Sequence, residues 1–160
     1  MIPRYSTPEM DGVWSDTARF GRWLEVELLA TDAHAESGIV PREAAAICRA
    51  KAPVPDEAFV AKILAREAIT DHDVAAFVDV VQAEIADPAG SWIHYGLTSS
   101  DVGDTALCWA MRDAADLLVD ASTELLRTLV TMARQHADTV MIGRTHGIHA
   151  EPTTFGTKVA

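Results

Sequence analysis

The helical pattern runs without a break through SDVGDTALCWAMRDAADLLVDASTELLRTLVTMARQ, residues 100–135. Its apolar side chains recur three or four positions apart, so one face of a continuous helix stays apolar. At about 1.5 Å per residue, these 36 residues form a rod on the order of 54 Å long. A helix of that length indicates a helical bundle shared between subunits. The apolar positions are Leu107, Ala110, Ala114, Leu117, Leu118, Ala121, Leu125, Leu129 and Met132.

Shorter helices are predicted on the N-terminal side of this rod. A helix begins near Ser15 or Asp16 and ends at Ser37, and the next runs from Pro41 to about Lys51. A third follows Asp56 and ends near Ile69. Thr70 or Asp71 is expected to cap a fourth, which begins at His72–Asp73 and continues to Ile85. The predicted fold class is therefore all-α.

The remaining segments are predicted to be irregular or extended. Residues 1–10 hold two prolines and no helical period, which predicts an extended segment. Residues 87–100 form a long loop with aromatic content, which is typical of a functional loop. Residues 139–142 look extended, and Pro152 fits the first turn of a new helix. Residues 158–160 contain no helix-ending signal, so we expect a piece of a longer protein.

The composition is that of a globular protein of single-domain length. The chain has 160 residues, of which 49% are hydrophobic and only 6% are aromatic, and this favours helices packed through small side chains. Its formal charge of −11 disfavours nucleic acid as a partner, because phosphate backbones are bound by clustered Lys and Arg. A small anion remains compatible with this charge, since a local pocket of Arg and His can oppose the global field.

The cysteines and the hydropathy pattern bear on the compartment. Cys48 and Cys108 lie within apolar helical patterns, far apart in sequence, and are expected to be buried thiols of a reducing compartment. No apolar run approaches the roughly 20 residues of a membrane span, and no signal-peptide pattern opens the sequence. We therefore expect a cytoplasmic protein without a membrane partner.

Four polar clusters interrupt the helical pattern, each at a helix entrance or in an irregular segment. They occupy residues 4–6, 71–73, 98–101 and 144–146, with sequences RYS, DHD, TSSD and RTH. Helix N-termini bind anions through their free N–H groups, and hydroxyl, guanidinium and imidazole donors suit phosphate and carboxylate. The clusters therefore indicate a site for a small anionic ligand.

Simpler interpretations of each cluster remain open. The TSSD sequence is also typical of a plain N-cap, the histidine of DHD of a solvated cap, and Arg4 of a terminal surface charge. A metal site made of His146, His149 and Glu151 is a further alternative. Gly147 and Pro152 disfavour it, because they disrupt a regular helical face, and no Cys or further His lies at ligand spacing.

Taken in order, the clusters resemble those of adenylosuccinate lyase, a family of the fumarase/aspartase superfamily. The resemblance is carried by MIPRYSTPEM at 1–10, TDHDVAAF at 70–77, HYGLTSSDVGDTA at 94–106 and GRTHGIHAEPTTFG at 143–156. The RYS and HDV sequences separate this chain from fumarase-like and argininosuccinate-lyase-like relatives. The resemblance implies β-elimination of fumarate from adenylosuccinate and from the succinyl-carboxamide ribotide of purine synthesis.

The resemblance also implies an architecture. Residues 1–99 would form an N-terminal helical domain with substrate-binding loops, and residues 100–160 would begin the central helical bundle. In the family this bundle is the core of a homotetramer whose active sites combine several subunits. No metal and no organic cofactor is implied.

The N-terminal clusters would bind the nucleotide part of the substrate. By resemblance, Arg4 and Tyr5 would contact the phosphate. Asp71, His72 and Asp73 would line the substrate site, with His72 making a direct contact.

The later clusters would hold the succinyl group and supply the acid. Thr98 and Ser99 would bind a carboxylate of the succinyl group. His146 would protonate the departing nitrogen as the general acid, with Thr145 beside it as a binding contact. His149 and Glu151 would support the loop without a catalytic role.

One element of the family pattern is not found in the 160 residues. The family's base is a serine on a glycine-rich loop with a GSS-MPHK-N signature, so we expect this chain alone to have no lyase activity. Two other hypotheses remain: a sister lyase of the argininosuccinate or carboxymuconate type, and a non-catalytic helical interaction module. The intact polar clusters argue against the module, which would not need them.

Overall fold

The computed structural model describes residues 3–160, which form seven α-helices and one two-stranded antiparallel hairpin. The helices are α1 (Pro8–Trp14), α2 (Asp16–Glu36), α3 (Arg42–Ala50), α4 (Glu57–Thr70), α5 (Asp73–Ile85), α6 (Ser99–Gln135) and α7 (Phe155–Val159). The strands are β1 (Val140–Thr145) and β2 (Ile148–Thr154), and short 3-10 helices cover Pro3–Tyr5 and Pro88–Trp92. The predicted helical fold class is confirmed, with the hairpin as a small addition.

The chain consists of two compact units, with the boundary between Ala114 and Ala115. The first contains α1 to α5 and the beginning of α6, and the second contains the rest of α6, the hairpin and α7. The predicted domain boundary after residue 99 stays a prediction.

Local capping explains why most predicted helix bounds are right. The Ser15 hydroxyl accepts a hydrogen bond from the Ala18 N–H at 3.2 Å, and the Asp56 carboxylate accepts one from the Phe59 N–H at 2.8 Å. These contacts satisfy N–H groups that the first turn of a helix leaves without partners. The predicted starts of α2 and α4 are therefore confirmed, and α6 covers the predicted rod.

The prediction of an extended N-terminal segment is wrong where the structure describes it. Pro8 opens α1, and the Thr7 hydroxyl accepts a hydrogen bond from the Met10 N–H at 3.4 Å. A proline at the first helical position loses no hydrogen bond, so it starts this helix instead of breaking it. Met1 and Ile2 lie outside the described residues.

The prediction that Pro152 opens a helix is also wrong. Pro152 lies within β2, where its Cα is paired with that of Ile142 in β1. A two-stranded ribbon has only edge strands, and these tolerate a residue without an N–H group. The following helix begins at Phe155, and the Thr154 hydroxyl accepts a hydrogen bond from the Thr157 N–H at 3.2 Å.

An aromatic cluster forms the centre of the first unit. Phe77 from α5 stacks on Phe20 from α2 at a centroid distance of 6.0 Å and meets Trp23 edge to face at 5.5 Å. Phe59 from α4 also contacts Phe77, at 6.2 Å. Such pairs contribute about 0.5–1.5 kcal/mol each beyond their burial, so the cluster fixes α2, α4 and α5 against one another.

The two cysteines differ in burial. Cys48 is buried and its thiol donates to the Ala89 carbonyl at 3.1 Å, and burial raises the pKa of this thiol above its ordinary value. Cys108 is exposed, so the prediction that it is buried is wrong. It lies midway between Ala106 and Ala110, which are buried one turn apart on the opposite face of α6.

Candidate active site

The junction between α4 and α5 presents the first candidate cluster. Asp71 adopts a left-handed conformation (φ 49°) and its N–H donates to the Glu67 carbonyl at 2.9 Å, which ends α4. His72 is then extended (φ −152°), and its Nδ1 accepts a hydrogen bond from the Ala75 N–H at 3.3 Å. His72 is therefore the N-cap of α5, and the prediction that Thr70 or Asp71 caps this helix is wrong.

The capping contact determines the orientation of the His72 ring. Because Nδ1 accepts a hydrogen bond, the neutral ring carries its proton on Nε2. That Nε2 lies 3.4 Å from the Ser99 hydroxyl oxygen. Asp73 Oδ1 lies 3.5 Å from Nδ1, and this oxygen also accepts the Val74 N–H at 2.7 Å. The structure thus brings together two predicted site residues that are 27 positions apart.

The beginning of α6 presents the second cluster. Here the Asp101 carboxylate reaches back to the Thr98 N–H at 2.8 Å, and the Asp101 N–H donates to the Thr98 carbonyl at 3.0 Å. The Thr98 hydroxyl has no hydrogen-bond partner within residues 3–160. TSSD is therefore a helix start, as the simpler interpretation predicted, but the Asp101 carboxylate forms the cap and the Thr98 hydroxyl stays available.

These groups create a surface suited to a small anion. Ser99 can accept from His72 Nε2–H and still donate its own proton to a ligand, and the Thr98 hydroxyl is a second donor. Thr98 and Ser99 lie at the electropositive N-terminus of α6, and His72 lies at the electropositive N-terminus of α5. Asp71 and Asp73 are exposed beside His72 and add negative charge at the edge of this surface.

Arg4 and Tyr5 form a pair of their own. The Arg4 guanidinium donates to the Tyr5 hydroxyl at 2.9 Å and lies 4.8 Å from the ring centroid. Both side chains are exposed. In the described chain neither makes a hydrogen bond to His72 or to the TSSD segment. Their predicted contact with a phosphate stays a prediction.

Thr145 and His146 belong to the second unit, at the turn of the hairpin. Thr145 pairs with Ile148, and the two residues between them, His146 and Gly147, have φ values of 49° and 77°. Positive φ at both central positions is the condition for the two-residue turn that matches strand twist. His146 is therefore held, exposed, at the tip of the ribbon. A His-Gly pair between two strand-like runs was the sequence signal for this hairpin.

The alternative of a metal site at the hairpin gains no support. His149 lies opposite Arg144, in the strand pair next to the one that closes the turn. Across residues 3–160, no three His, Cys, Asp or Glu side chains are grouped as metal ligands.

One buried pair was not predicted as part of a site. Glu27 on α2 is fully buried, its Oε2 accepts the His94 N–H at 2.8 Å, and its Oε1 lies 2.6 Å from His94 Nδ1. Burial raises the pKa of Glu27 above its ordinary value, and the hydrogen bonds from His94 oppose that rise. The signal was present in the sequence, because Glu27 stands among apolar positions on the buried face of a helix.

Comparison with known proteins identifies the family. The sequence profile of a family described as "Lyase" matches residues 4–160. The chain belongs to this lyase family. Its resemblance to adenylosuccinate lyase is confirmed as well: the adenylosuccinate lyase of Bacillus subtilis (strain 168) is 46% identical over 160 residues. That match covers the whole of the lyase-family chain and 36% of the Bacillus protein.

Solved structures agree with this assignment. The 3-carboxy-cis,cis-muconate lactonizing enzyme from Pseudomonas putida superimposes with a TM-score of 0.87 and 33% identity, covering 97% of the lyase-family chain and 36% of that structure. A fumarate lyase from Mesorhizobium sp. BNC1 gives a TM-score of 0.85 and 32% identity, with coverages of 94% and 35%. The lyase-family chain thus spans about a third of the relatives that it matches. None of its described helices is long and apolar enough to cross a membrane.

Proposed function

We propose that the protein carrying this chain is an adenylosuccinate lyase, a C–N lyase of purine biosynthesis. It would release fumarate by β-elimination from adenylosuccinate and from succinyl-aminoimidazole-carboxamide ribotide. The observation that carries the proposal is the contact between His72 and Ser99, which unites two of the resembling sequence blocks at the N-termini of α5 and α6. The 46% identity to the Bacillus subtilis enzyme favours this substrate over those of the sister lyases.

The succinyl carboxylate would bind at the beginning of α6. The hydroxyls of Thr98 and Ser99 would donate to it, and His72 Nε2–H would orient the Ser99 hydroxyl from behind. Elimination places additional negative charge on this carboxylate as the C–H proton leaves. Donors that are already oriented stabilise such charge without reorganisation, which lowers the barrier.

His146 would protonate the departing nitrogen, with Thr145 as a neighbouring contact. Imidazole exchanges protons near neutral pH. The left-handed backbone of His146 in the two-residue turn holds the base of its side chain in a fixed position. His149 and Glu151 would support the ribbon. No metal and no organic cofactor enters this proposal, because a carboxylate next to the acidic C–H supplies the activation.

The phosphate of the nucleotide would bind at Arg4 and Tyr5. Their mutual hydrogen bond already aligns a guanidinium and a phenol on one exposed surface. Asp71 and Asp73 would line the rest of the substrate site around His72. We further propose a homo-oligomeric, cytoplasmic enzyme that does not bind nucleic acid.

The base is expected on another part of the complete protein. Because no GSS-MPHK-N sequence occurs in residues 1–160, the isolated chain would bind the nucleotide without releasing fumarate. Ultraviolet absorbance of fumarate after addition of adenylosuccinate tests this, and turnover like that of a complete enzyme would contradict it.

Nucleotide binding tests the proposed substrate class. We expect AMP to bind the chain in calorimetric titration and Arg4→Ala to weaken it about 10- to 100-fold, the effect of losing a charge-assisted hydrogen bond. Arg42→Ala is the matched control, because it removes an equally exposed cation from α3 and should leave AMP binding unchanged. An Arg4→Ala variant that binds AMP like the wild type would exclude the proposed phosphate contact.

A further inference from the structure

Glu27 contacts the loop before α6 through both of its carboxylate oxygens. Oε2 accepts the main-chain N–H of His94, and Oε1 meets the Nδ1 of the same residue. His94 has φ 69°, a left-handed conformation that non-glycine residues seldom adopt. A single buried carboxylate therefore holds both the backbone and the ring of one loop residue.

A second contact holds the preceding residue. The Gln82 side-chain amide on α5 donates to the Ile93 carbonyl at 3.3 Å, and the Ile93 side chain is buried. The loop is thus attached to α2 at residue 94 and to α5 at residue 93. Four residues after His94 the chain reaches Thr98 and Ser99, the proposed donors to the succinyl carboxylate.

The two ring nitrogens of His94 have different surroundings. Nδ1 faces the fully buried Glu27, whereas Nε2 has no hydrogen-bond partner in the described chain. No buried side-chain nitrogen or oxygen among the described residues lacks a partner, so Nε2 must reach solvent. The ring therefore has a buried edge on Glu27 and an accessible opposite edge.

We propose that Glu27 is a positioning residue for the succinyl-binding part of the site, acting through His94. The carboxylate accepts both N–H groups of His94, keeps the ring proton on Nδ1, and holds the segment 94–98 so that the Thr98 and Ser99 hydroxyls converge on the ligand carboxylate. This inference rests on the proposed function for the identity of the ligand. The observation that His94 makes two hydrogen bonds to Glu27 does not depend on the proposed function.

A residue that only stabilises the core would behave differently. Its loss would lower stability and affect all ligands alike. A positioning residue of this part of the site would act on ligands that carry the succinyl group and spare those that lack it. Adenylosuccinate and AMP differ in that group, so their affinities separate the two roles.

The test measures both ligands and the histidine ring. By NMR of the ¹⁵N-histidine-labelled chain, we expect wild-type His94 to carry its proton on Nδ1. Glu27→Gln presents an amide NH₂ to one of the two N–H donors, so the tautomer preference should disappear and the Thr98 and Ser99 amide signals should shift. Adenylosuccinate affinity should fall about 10-fold, as for other orienting partners, with AMP affinity unchanged.

Two variants complete the experiment. Glu25→Gln, on the same helix but only partly buried and paired with Arg49, should change none of these readouts. If Glu27→Gln does not fold, Glu27→Asp is the alternative, because it keeps the carboxylate and withdraws its oxygens by one methylene. We again expect weaker adenylosuccinate binding and unchanged AMP binding.

The possible results separate the two proposals. A wild-type His94 protonated on Nε2, or a folded Glu27 variant with unchanged adenylosuccinate affinity, would overturn the positioning role. If the wild-type chain binds neither nucleotide, the proposed function fails, while the His94 tautomer and the Thr98 and Ser99 shifts still decide the role of Glu27.

Discussion

Three histidines of this chain are held in three different ways. His72 is fixed by a backbone N–H that donates to its Nδ1, and His94 by the Glu27 carboxylate. His146 is fixed by its left-handed backbone in a two-residue turn. For His72 and His94, the chemical role open to the ring follows from the nitrogen that its contact leaves accessible.

Burial of Glu27 predicts a specific pH dependence of stability. Its folded pKa is raised above 4.5, so the folded protein binds this proton more tightly than the unfolded chain does. The contribution of Glu27 to the free energy of unfolding should therefore increase as pH falls from neutral toward 4.5, and decrease as pH rises through the raised pKa. Urea denaturation at several pH values should show the wild type gaining stability relative to Glu27→Gln on acidification. A difference that does not vary with pH would contradict this.

Gly156 is predicted to be the glycine least tolerant of a side chain. A Cβ there would lie 2.5 Å from the Ala133 carbonyl oxygen and 2.8 Å from Ala137 Cα, which are backbone atoms that cannot rotate away. We expect Gly156→Ala to destabilise the second unit by about 1–3 kcal/mol, measured by thermal or chemical denaturation. Gly103→Ala on α6 is the control: nothing lies within 4 Å of its added Cβ, and stability should rise by about 0.5–1 kcal/mol. Equal effects of the two substitutions would refute the close packing.

A largely buried arginine joins α2 to α6 in the first unit. Arg22 donates to the Val13 carbonyl at 2.8 Å and to the Asp113 carboxylate at 3.0 Å. Hydrogen bonds from Arg112 and Arg22 hold the pKa of Asp113 below its ordinary value. The same guanidinium thus contacts the end of α1 and the face of α6.

Arg22 should accordingly matter more for stability than its neighbour. Its side chain is only 13% exposed, so we expect Arg22→Met to lower the free energy of unfolding by about 1–3 kcal/mol through loss of charged hydrogen bonds. The Arg19 side chain, which pairs with Asp16, is 43% exposed. Arg19→Met should therefore lower the free energy of unfolding by no more than about 0.5 kcal/mol. Urea denaturation of both variants provides the comparison, and a greater loss for Arg19→Met would disprove the ranking.

At the scale of the whole molecule, α6 divides into a buried and an exposed part. Its buried residues are Val102, Ala106, Ala110 and Ala114, one per turn, and within the described chain none beyond Ala114 is buried. The apolar side chains that remain exposed on the helix include Leu107, Met111, Leu118, Val119, Leu125, Leu126 and Val130. An apolar surface of this extent is typical of a face that other helices cover.

Self-association is the expected consequence. Sedimentation velocity across a concentration series should show the chain forming oligomers, and Leu118→Glu combined with Leu125→Glu should shift it toward monomer, because charges would be desolvated in the contact. Val54→Glu, at an exposed apolar position between α3 and α4, should leave association unchanged. A monomer at every concentration of the wild type would rule out this role for α6.

Local sequence signals suffice to predict α2 to α6 and most of their bounds. Caps such as Ser15 and Asp56 act within three residues, and the apolar repeat of α6 needs no distant contact to form a helix. The four polar clusters could likewise be recognised from sequence, because helix starts and loops are marked by characteristic residue types within a few positions.

Which of these residues contact one another depends on the tertiary fold. The hairpin depends on pairing between two strands, and it placed Pro152 in β2 instead of in a helix. The contact of His72 with Ser99 joins residues 27 positions apart, and that of Glu27 with His94 joins residues 67 apart. No periodic pattern encodes such contacts. They arise because packing of α2, α4 and α5 around Phe77 brings these segments together, and because a buried carboxylate must find donors wherever the fold supplies them.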